Sequence, residues 1–255
     1  MQFLLALVVS LVLQAAAEGP KRADGWQPRR TEIEQCLVDA KVARVEELSI
    51  GVTRPSRATL QEATCARAFA WKPLQPGRYN GYWESYKSEI AAYELDKLLD
   101  LNMVPIAVER KVEGNTGAAI LWLDGVRSWD EIQPLPKPPA WPMRLVRMKM
   151  FDCLAGNPDR NKGNMLTDEA WNLFLIDHSR AFVPERRLPK PSLFQFVDRA
   201  LWQRMLALDE ATLEQRLGRW LDSRQRNAIL QRRDAMKKYI DELVAKNGEK
   251  IFFTP

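Results

Sequence analysis

Histidine is almost missing from this 255-residue chain: His178 is the only one. Any catalytic triad that needs a second histidine is therefore excluded, and no cysteine and histidine spacing of a zinc site occurs. Cysteine is scarce too. Cys36, Cys65 and Cys153 leave at least one thiol unpaired. A Cys36–Cys65 bridge and a pair of small buried hydrophobes are both open readings of the first two, while Cys153 lies in an apolar helical pattern that buries it. There is no Asn-x-Ser/Thr sequon, which favours a prokaryotic exported protein over a glycosylated lumenal one. No internal repeat or low-complexity tract is present. Charge of one sign is nowhere concentrated: 38 basic and 33 acidic side chains give +5, spread along the chain. That balance suits an anionic ligand such as a nucleotide but lacks the basic stripe of a duplex-binding protein, so no nucleic acid is expected. The most basic stretch, residues 216–238, is interleaved with Leu217, Trp220, Leu221, Ile229 and Leu230 and reads as an amphipathic helix.

The one long apolar run is residues 3–13, broken only by Ser10. It is short for a membrane crossing, and Ala15-Ala-Ala17 supplies the small residues of a signal-peptidase site, giving a signal peptide over 1–17 and Glu18 as the new N-terminus. Export to a periplasm, secretory lumen or exterior follows, with an uncleaved N-terminal membrane anchor as the alternative. Residues 18–30 read as a flexible leader. With 46% hydrophobic and 28% charged residues, the remainder can bury a full-sized core, as one bilobal domain or two small ones.

Residues 31–41 suit a short helix. Strand-like pieces follow to residue 73, with Gly51 and Pro55 marking a hairpin turn between 45–50 and 58–61 that could cover phosphates. In residues 68–72, alternation sets Ala68, Ala70 and Lys72 on one face and Phe69 with Trp71 on the other. The small residues beside the lysine leave room for a flat ring. Residues 86–101 read as a helix, with Ala91, Leu95, Leu98 and Leu99 in one stripe and Glu89 in the first turn. Glu89 is positioned to reach the Lys72 ammonium or a nucleotide-bound metal, and Glu94 is the competing candidate. Two strands, 104–112 and 118–123, flank a turn over residues 113–117. Asp124-Gly125 ends the sheet, and the nucleotide base is expected against the backbone near Leu123 and Asp124. Five prolines between Pro134 and Pro142 make a stiff connection, taken as the passage between lobes. Beyond it the text is helical over 141–155, 192–208, 211–221 and 223–244, with Asp209 and Asp222 as caps and a strand at 173–176 partnered near 165–166. The division is an N-lobe over 31–125 and a C-lobe over 126–255.

The chemistry concentrates in Leu154-Ala-Gly-Asn-Pro-Asp-Arg-Asn-Lys-Gly-Asn-Met-Leu166 and the apolar run ending at Asp177. An aspartate, an asparagine five positions later and an aspartate ending a buried strand form a minimal base and metal set for ATP chemistry. Asp159 is the candidate acceptor of a hydroxyl proton. Asn164 and Asp177 offer a neutral and a charged oxygen to a nucleotide-bound Mg²⁺.

Ser88-Glu-Ile-Ala-Ala-Tyr-Glu-Leu-Asp-Lys-Leu-Leu-Asp-Leu-Asn-Met-Val-Pro105 resembles the helix-to-strand segment of secretory-pathway kinases of the Golgi casein kinase and four-jointed type. Phe151-Asp-Cys-Leu-Ala-Gly-Asn-Pro-Asp-Arg160 and Leu175-Ile-Asp-His-Ser-Arg-Ala-Phe182 resemble that family's catalytic and metal-binding segments. The form Asp-Arg-Asn-x-Gly-Asn-x-Leu is also similar to phosphatidylinositol 3-/4-kinase-like domains and bacterial HipA kinases. The resemblance spans about residues 66–182. It implies an α+β, bilobal protein-kinase-like fold, with a small antiparallel-sheet N-lobe carrying one main helix and a mostly helical C-lobe. It also implies ATP with Mg²⁺ or Mn²⁺, Lys72 on the phosphates, Glu89 as its partner or a metal-organising carboxylate, Asp159 as catalytic aspartate and Asn164 with Asp177 as metal ligands. The acceptor would be a hydroxyl of a protein, glycan or lipid head group. An exported nucleotide-binding pseudokinase is the alternative reading. Asn161 stands where many relatives carry histidine, and His178-Ser179 replaces their glycine-containing turn.

Overall fold

The computed structural model describes residues 23–48, 55–61, 65–189 and 193–254. The expected signal peptide, residues 18–22 of the leader and the Gly51 turn lie outside the described residues, while Gln27–Arg29 of the leader form a short 3-10 turn that runs into the first helix. Helix α1 (Arg30–Asp39) precedes β1 (Val42–Glu47), β2 (Ser56–Leu60) and β3 (Ala68–Lys72). A small hairpin, β4 (Gly77–Tyr79) and β5 (Tyr82–Glu84), leads into α2 (Tyr86–Leu98), and β6 (Ala107–Val112) with β7 (Asn115–Leu121) completes the first unit. The five long strands form one antiparallel sheet in the order β1-β2-β3-β7-β6.

The period-two alternation of β3 acts as expected. Phe69 and Trp71 are buried on one face and meet edge to face at 6.2 Å. Helices α1 and α2 both pack against β6 and β7, and the Cys36–Cys65 disulfide ties α1 to the segment before β3. The β6–β7 turn is tighter than the sequence suggested. Glu113 (φ 48°) and Gly114 (φ 87°) close it alone, because two successive positive φ values match the strand twist, and residues 115–117 join β7. Gly117 is required there: a Cβ would lie 2.4 Å from the Lys72 carbonyl oxygen.

After Leu121 the chain crosses to the second unit over residues 122–126. Strand β8 (Arg127–Ser128) already belongs to a separate sheet, β10-β9-β8, with β9 (Met165–Thr167) and β10 (Leu173–Leu175). The prolines therefore do not carry the crossing. They follow α3 (Trp129–Ile132), whose Ser128 and Glu131 form a capping box, and lead into α4 (Trp141–Ala155). Helix α5 (Arg199–Leu206) starts later than its periodicity suggested, because β11 (Val197–Asp198) pairs in parallel with the C-terminal β12 (Phe252–Phe253). Helices α6 (Glu210–Leu217) and α7 (Ser223–Asn247) are capped by Asp209 and Asp222, which accept from the Thr212 and Gln225 amides. One continuous apolar core runs through both units. Cys153 is buried in it, and burial pushes its thiol up to about 12. Among the described residues no helix is long and apolar enough to cross a membrane.

Candidate active site

The end of β3 places the buried Lys72 between α2 and the segment that follows β10. Its Nζ donates to Glu89 Oε1 at 2.7 Å and to Asp177 Oδ1 at 2.8 Å. Glu89 can be there because Ser85 caps α2 by accepting from the Lys87 amide, which fixes the first turn and buries the carboxylate. The other oxygen of Glu89 accepts from the His178 amide at 2.9 Å, so one carboxylate holds both the lysine and the strand end. Glu94 serves elsewhere, pairing with Lys97 at 2.7 Å and Arg216 at 3.4 Å. Burial pushes the Lys72 ammonium toward neutrality, but the two carboxylates outweigh it and hold its pKa above the ordinary value. Burial likewise raises Asp177, and Lys72 with the Ser179 hydroxyl reverses this, leaving it below the usual carboxylate range.

The loop after α4 sets Asp159. Gly156 ends the helix in the left-handed region (φ 64°) and turns the chain. The Asn157 side chain then accepts from the Asp159 amide at 3.1 Å, and the Asp159 carbonyl accepts from Asn161 Nδ2 and Asn164 Nδ2, each at 3.1 Å. The Asp159 carboxylate is 41% exposed and pairs with Arg180 Nη1 at 2.9 Å. Arg160 turns inward instead. It forms two bonds to Asp152 (2.9 and 3.0 Å), reaches the carbonyls of Asn164 and Ile176 at 2.8 Å, and meets His178 Nε2 at 2.8 Å. A guanidinium only donates, so Nε2 accepts and the imidazole proton sits on Nδ1. Burial, with Arg160 alongside, keeps the His178 pKa well below its usual value, and the ring is neutral.

Both recorded contacts of Asp177 fall on Oδ1, and the side-chain donor of Asn164 is spent on Asp159. Asp177 Oδ2 and Asn164 Oδ1 take no side-chain hydrogen bond among the described residues, and they are the oxygens that could be offered to a hard cation. Among the described residues no group of three His, Cys, Asp or Glu side chains could hold a metal ion unaided. Two protein oxygens fit Mg²⁺ or Mn²⁺ arriving with a nucleotide, since such ions take one or two protein carboxylates and complete their shell with phosphate and water.

On the cleft face of the sheet, Ala68 and Ala70 lie beside Lys72, with Ala118 opposite Lys72 and Ile120 opposite Ala70. At the crossing, Leu123 is buried and Asp124 exposed, while the Trp122 amide donates to the Ala68 carbonyl at 3.2 Å. Arg57, paired with Ala70 across β2 and β3, lays its guanidinium 4.6 Å over the Trp122 ring.

The structure therefore brings Lys72, Glu89 and Asp177 into direct contact, links Asn164 to Asp159 through the backbone, and leaves Leu123 and Asp124 on the crossing segment. Sequence reasoning passed over Glu84, Arg180, Arg160, Asp152, Arg57 and Trp122. Arg160 and Arg180 carried a local signal, one directly following Asp159 and the other three residues past Asp177.

A lysine from a central strand, a glutamate from the one long helix packed on that sheet and an aspartate ending a strand of the other unit define an atypical kinase-like fold. No protein-family model matches the chain, and no curated protein matches it in sequence. Solved structures share its fold. The structure of hydra Fam20 with sugar superposes with a TM-score of 0.70 at 15% identity, over 89% of this chain and 93% of that one. The Golgi casein kinase with Mn/ADP bound gives 0.67 at 13% identity, over 88% and 78%. The Helicobacter pylori proinflammatory kinase CtkA gives 0.51 at 11%, over 84% and 98%.

Proposed function

We propose that this chain is an ATP-dependent phosphotransferase that moves the γ-phosphate to a hydroxyl, acting outside the cytoplasm. The observation that carries the reading is the single ammonium of Lys72 bridging Glu89 at 2.7 Å and Asp177 at 2.8 Å. A buried lysine held between carboxylates from two lobes is preorganised for phosphate, and its charge persists at any physiological pH. Asp159 accepts the proton of the acceptor hydroxyl as the new oxygen–phosphorus bond forms, the bond from the γ-phosphorus to the bridging oxygen breaks, and ADP leaves. Asn164 and Asp177 would hold Mg²⁺ or Mn²⁺, which supplies charge neutralisation on the phosphates. Leu123 and Asp124 present the crossing backbone to the base. The acceptor is a hydroxyl of a protein, glycan or lipid head group; the sugar in the hydra Fam20 structure and the Mn/ADP of the Golgi casein kinase are consistent with this chemistry. The Cys36–Cys65 disulfide supports an oxidising compartment.

Isothermal titration of ATP into the chain starting at Glu18, with and without Mg²⁺ or Mn²⁺, tests the proposal. Metal-dependent binding is expected, lost at least about tenfold in Asp177→Ala. Asp159→Asn keeps that binding and loses turnover. Absence of ATP binding by the wild type under every condition overturns the assignment; binding without transfer leaves a pseudokinase.

A further inference from the structure

Arg180 joins β5 to the loop that carries Asp159. Its Nε and Nη2 donate to Glu84 Oε1 at 2.9 and 2.8 Å, and its Nη1 donates to Asp159 Oδ2 at 2.9 Å. Its guanidinium also lies 4.4 Å over the Tyr82 ring. Glu84 is 1% exposed, and its second oxygen lies 3.4 Å from the Ser179 hydroxyl, whose one proton has the shorter contact at Asp177 Oδ1. The Ser179 carbonyl in turn accepts from the Ser85 amide at 3.0 Å, at the cap of α2. Both Tyr82 and Glu84 belong to β5, whose hairpin closes through Asn80 (φ 49°) and Gly81 (φ 87°). A groove of about 960 Å³ opens beside Tyr82 and Pro158 and runs along residues 183–189.

We propose that Arg180 is a positioning residue for Asp159, and that Glu84 and Tyr82 of the β4–β5 hairpin set its grip. The inference rests on the phosphotransferase reading, and deepens it. A planar guanidinium fixed on three sides has one rotamer left, so the Nη1 bond orients the Asp159 carboxylate rather than merely neutralising it. The grip takes Oδ2 and leaves Oδ1 to receive the hydroxyl proton. Energy alone does not explain the arrangement: a pair with a carboxylate this exposed contributes little to stability. Its worth is geometric. The hairpin, which precedes α2 by one residue, thereby joins the helix that carries Glu89 to the residue that takes the proton.

The test uses the chain from Glu18 with γ-labelled Mg-ATP, reading phosphate moved to water or to the chain itself, alongside ATP affinity by titration. Arg180→Met is expected to lower kcat roughly 30-fold while the ATP Kd stays within about threefold, since an ångström of misplacement costs about a hundredfold. Arg180→Lys restores part of the rate. Adding Glu84→Gln to Arg180→Met relieves the unpaired buried carboxylate, recovering stability but not kcat. An unchanged kcat in Arg180→Met overturns the inference. So does a parallel fall of kcat and affinity, which would mark a purely structural residue. Wild type that binds no ATP overturns the phosphotransferase reading itself; wild type that binds Mg-ATP but releases no phosphate overturns the role of Asp159 and this inference together.

Discussion

Replacing Glu89 by glutamine isolates the bond set at the centre of the cleft. Volume is unchanged, so no cavity term enters. The carboxylate is 3% exposed and both oxygens accept, one from Lys72 at 2.7 Å and one from the His178 amide at 2.9 Å. Glutamine must turn its amide nitrogen toward one of these donors. One bond is lost, and a buried donor faces another donor. Losing a charge-assisted hydrogen bond costs about 1.5–3 kcal/mol, and leaving a buried donor unsatisfied costs about 1–3 more. Lys72 keeps Asp177, which limits the total to roughly 2–4 kcal/mol, overlapping the lower part of the roughly 3–5 kcal/mol for breaking a buried pair. Urea unfolding at pH 7, followed by tryptophan fluorescence and far-ultraviolet circular dichroism, reads this as a midpoint lower by about 1 M for a denaturant slope near 3 kcal/mol/M. Glu94→Gln is the control. Its pairs with Lys97 and Arg216 are partly solvated, and its cost should stay below about 1 kcal/mol. Equal effects of the two substitutions, or a change under about 0.5 kcal/mol for Glu89→Gln, would refute the reasoning that Glu89 is the lysine's structural partner.

Gly156→Ala should be more damaging than Gly248→Ala, although both glycines have positive φ (64° and 73°). A Cβ at 156 would sit 2.6 Å from the guanidinium carbon of the fully buried Arg232, whereas one at 248 meets nothing within 4 Å. Gly248 sits at φ 73° and ψ −173°, a region open almost only to glycine, so Gly248→Ala should cost about 1–3 kcal/mol from backbone strain alone, while Gly156→Ala adds the clash with Arg232 to about 1–2 kcal/mol of left-handed strain and should lower Tm further. Equal Tm shifts would count against the clash. Asp96 supplies a pH test. Burial pushes its carboxyl up to about 6, against the amides of Met103, Val104 and Asn102 that donate to it. A folded pKa above the unfolded value means stability that is full below pH ~4 and lost as pH rises through ~6, about 3 kcal/mol for this one group. Unfolding curves of wild type and Asp96→Asn across pH 4–7 should differ by that slope; parallel curves would refute it.

The sequence was most legible where a residue's role follows from its own neighbours in the chain. Alternation in residues 68–72 put Lys72 and the two alanines on one face because the β period is two, and the sheet register keeps that order. The helical stripe of α2 and its first-turn glutamate were readable, as were Asp209 and Asp222 as caps. Where a boundary depended on a distant partner, the local text misled. Helix α5 was expected from residue 192 and begins at Arg199, because Val197 and Asp198 are claimed by a strand at the far C-terminus. The prolines looked like the passage between lobes, yet β8 had already entered the second sheet before them.

The same rule explains the cleft. Lys72, Glu89, Asp159, Asn164 and Asp177 were nameable because each sits in a recognisable local pattern. The groups that orient them were not, since their roles exist only through long-range pairing. Arg180 meets Glu84 across 96 residues and Asp159 across 21; Arg160 meets His178 across 18. An arginine or glutamate in isolation reads as a solvated surface residue, and only its burial in the fold shows otherwise. Both arginines share one design: each holds a carboxylate with two donors and spends the rest on the strand or loop that carries a functional side chain. Arg160 locks the backbone on either side of the Asn164 and Asp177 pair, and Arg180 grips the Asp159 side chain. Two guanidinium clamps thus hold the site, Arg160 beside Asn164 and Ile176 and Arg180 on Asp159, and under the proposed phosphotransferase reading substituting Arg160 should disturb nucleotide binding and substituting Arg180 phosphate transfer.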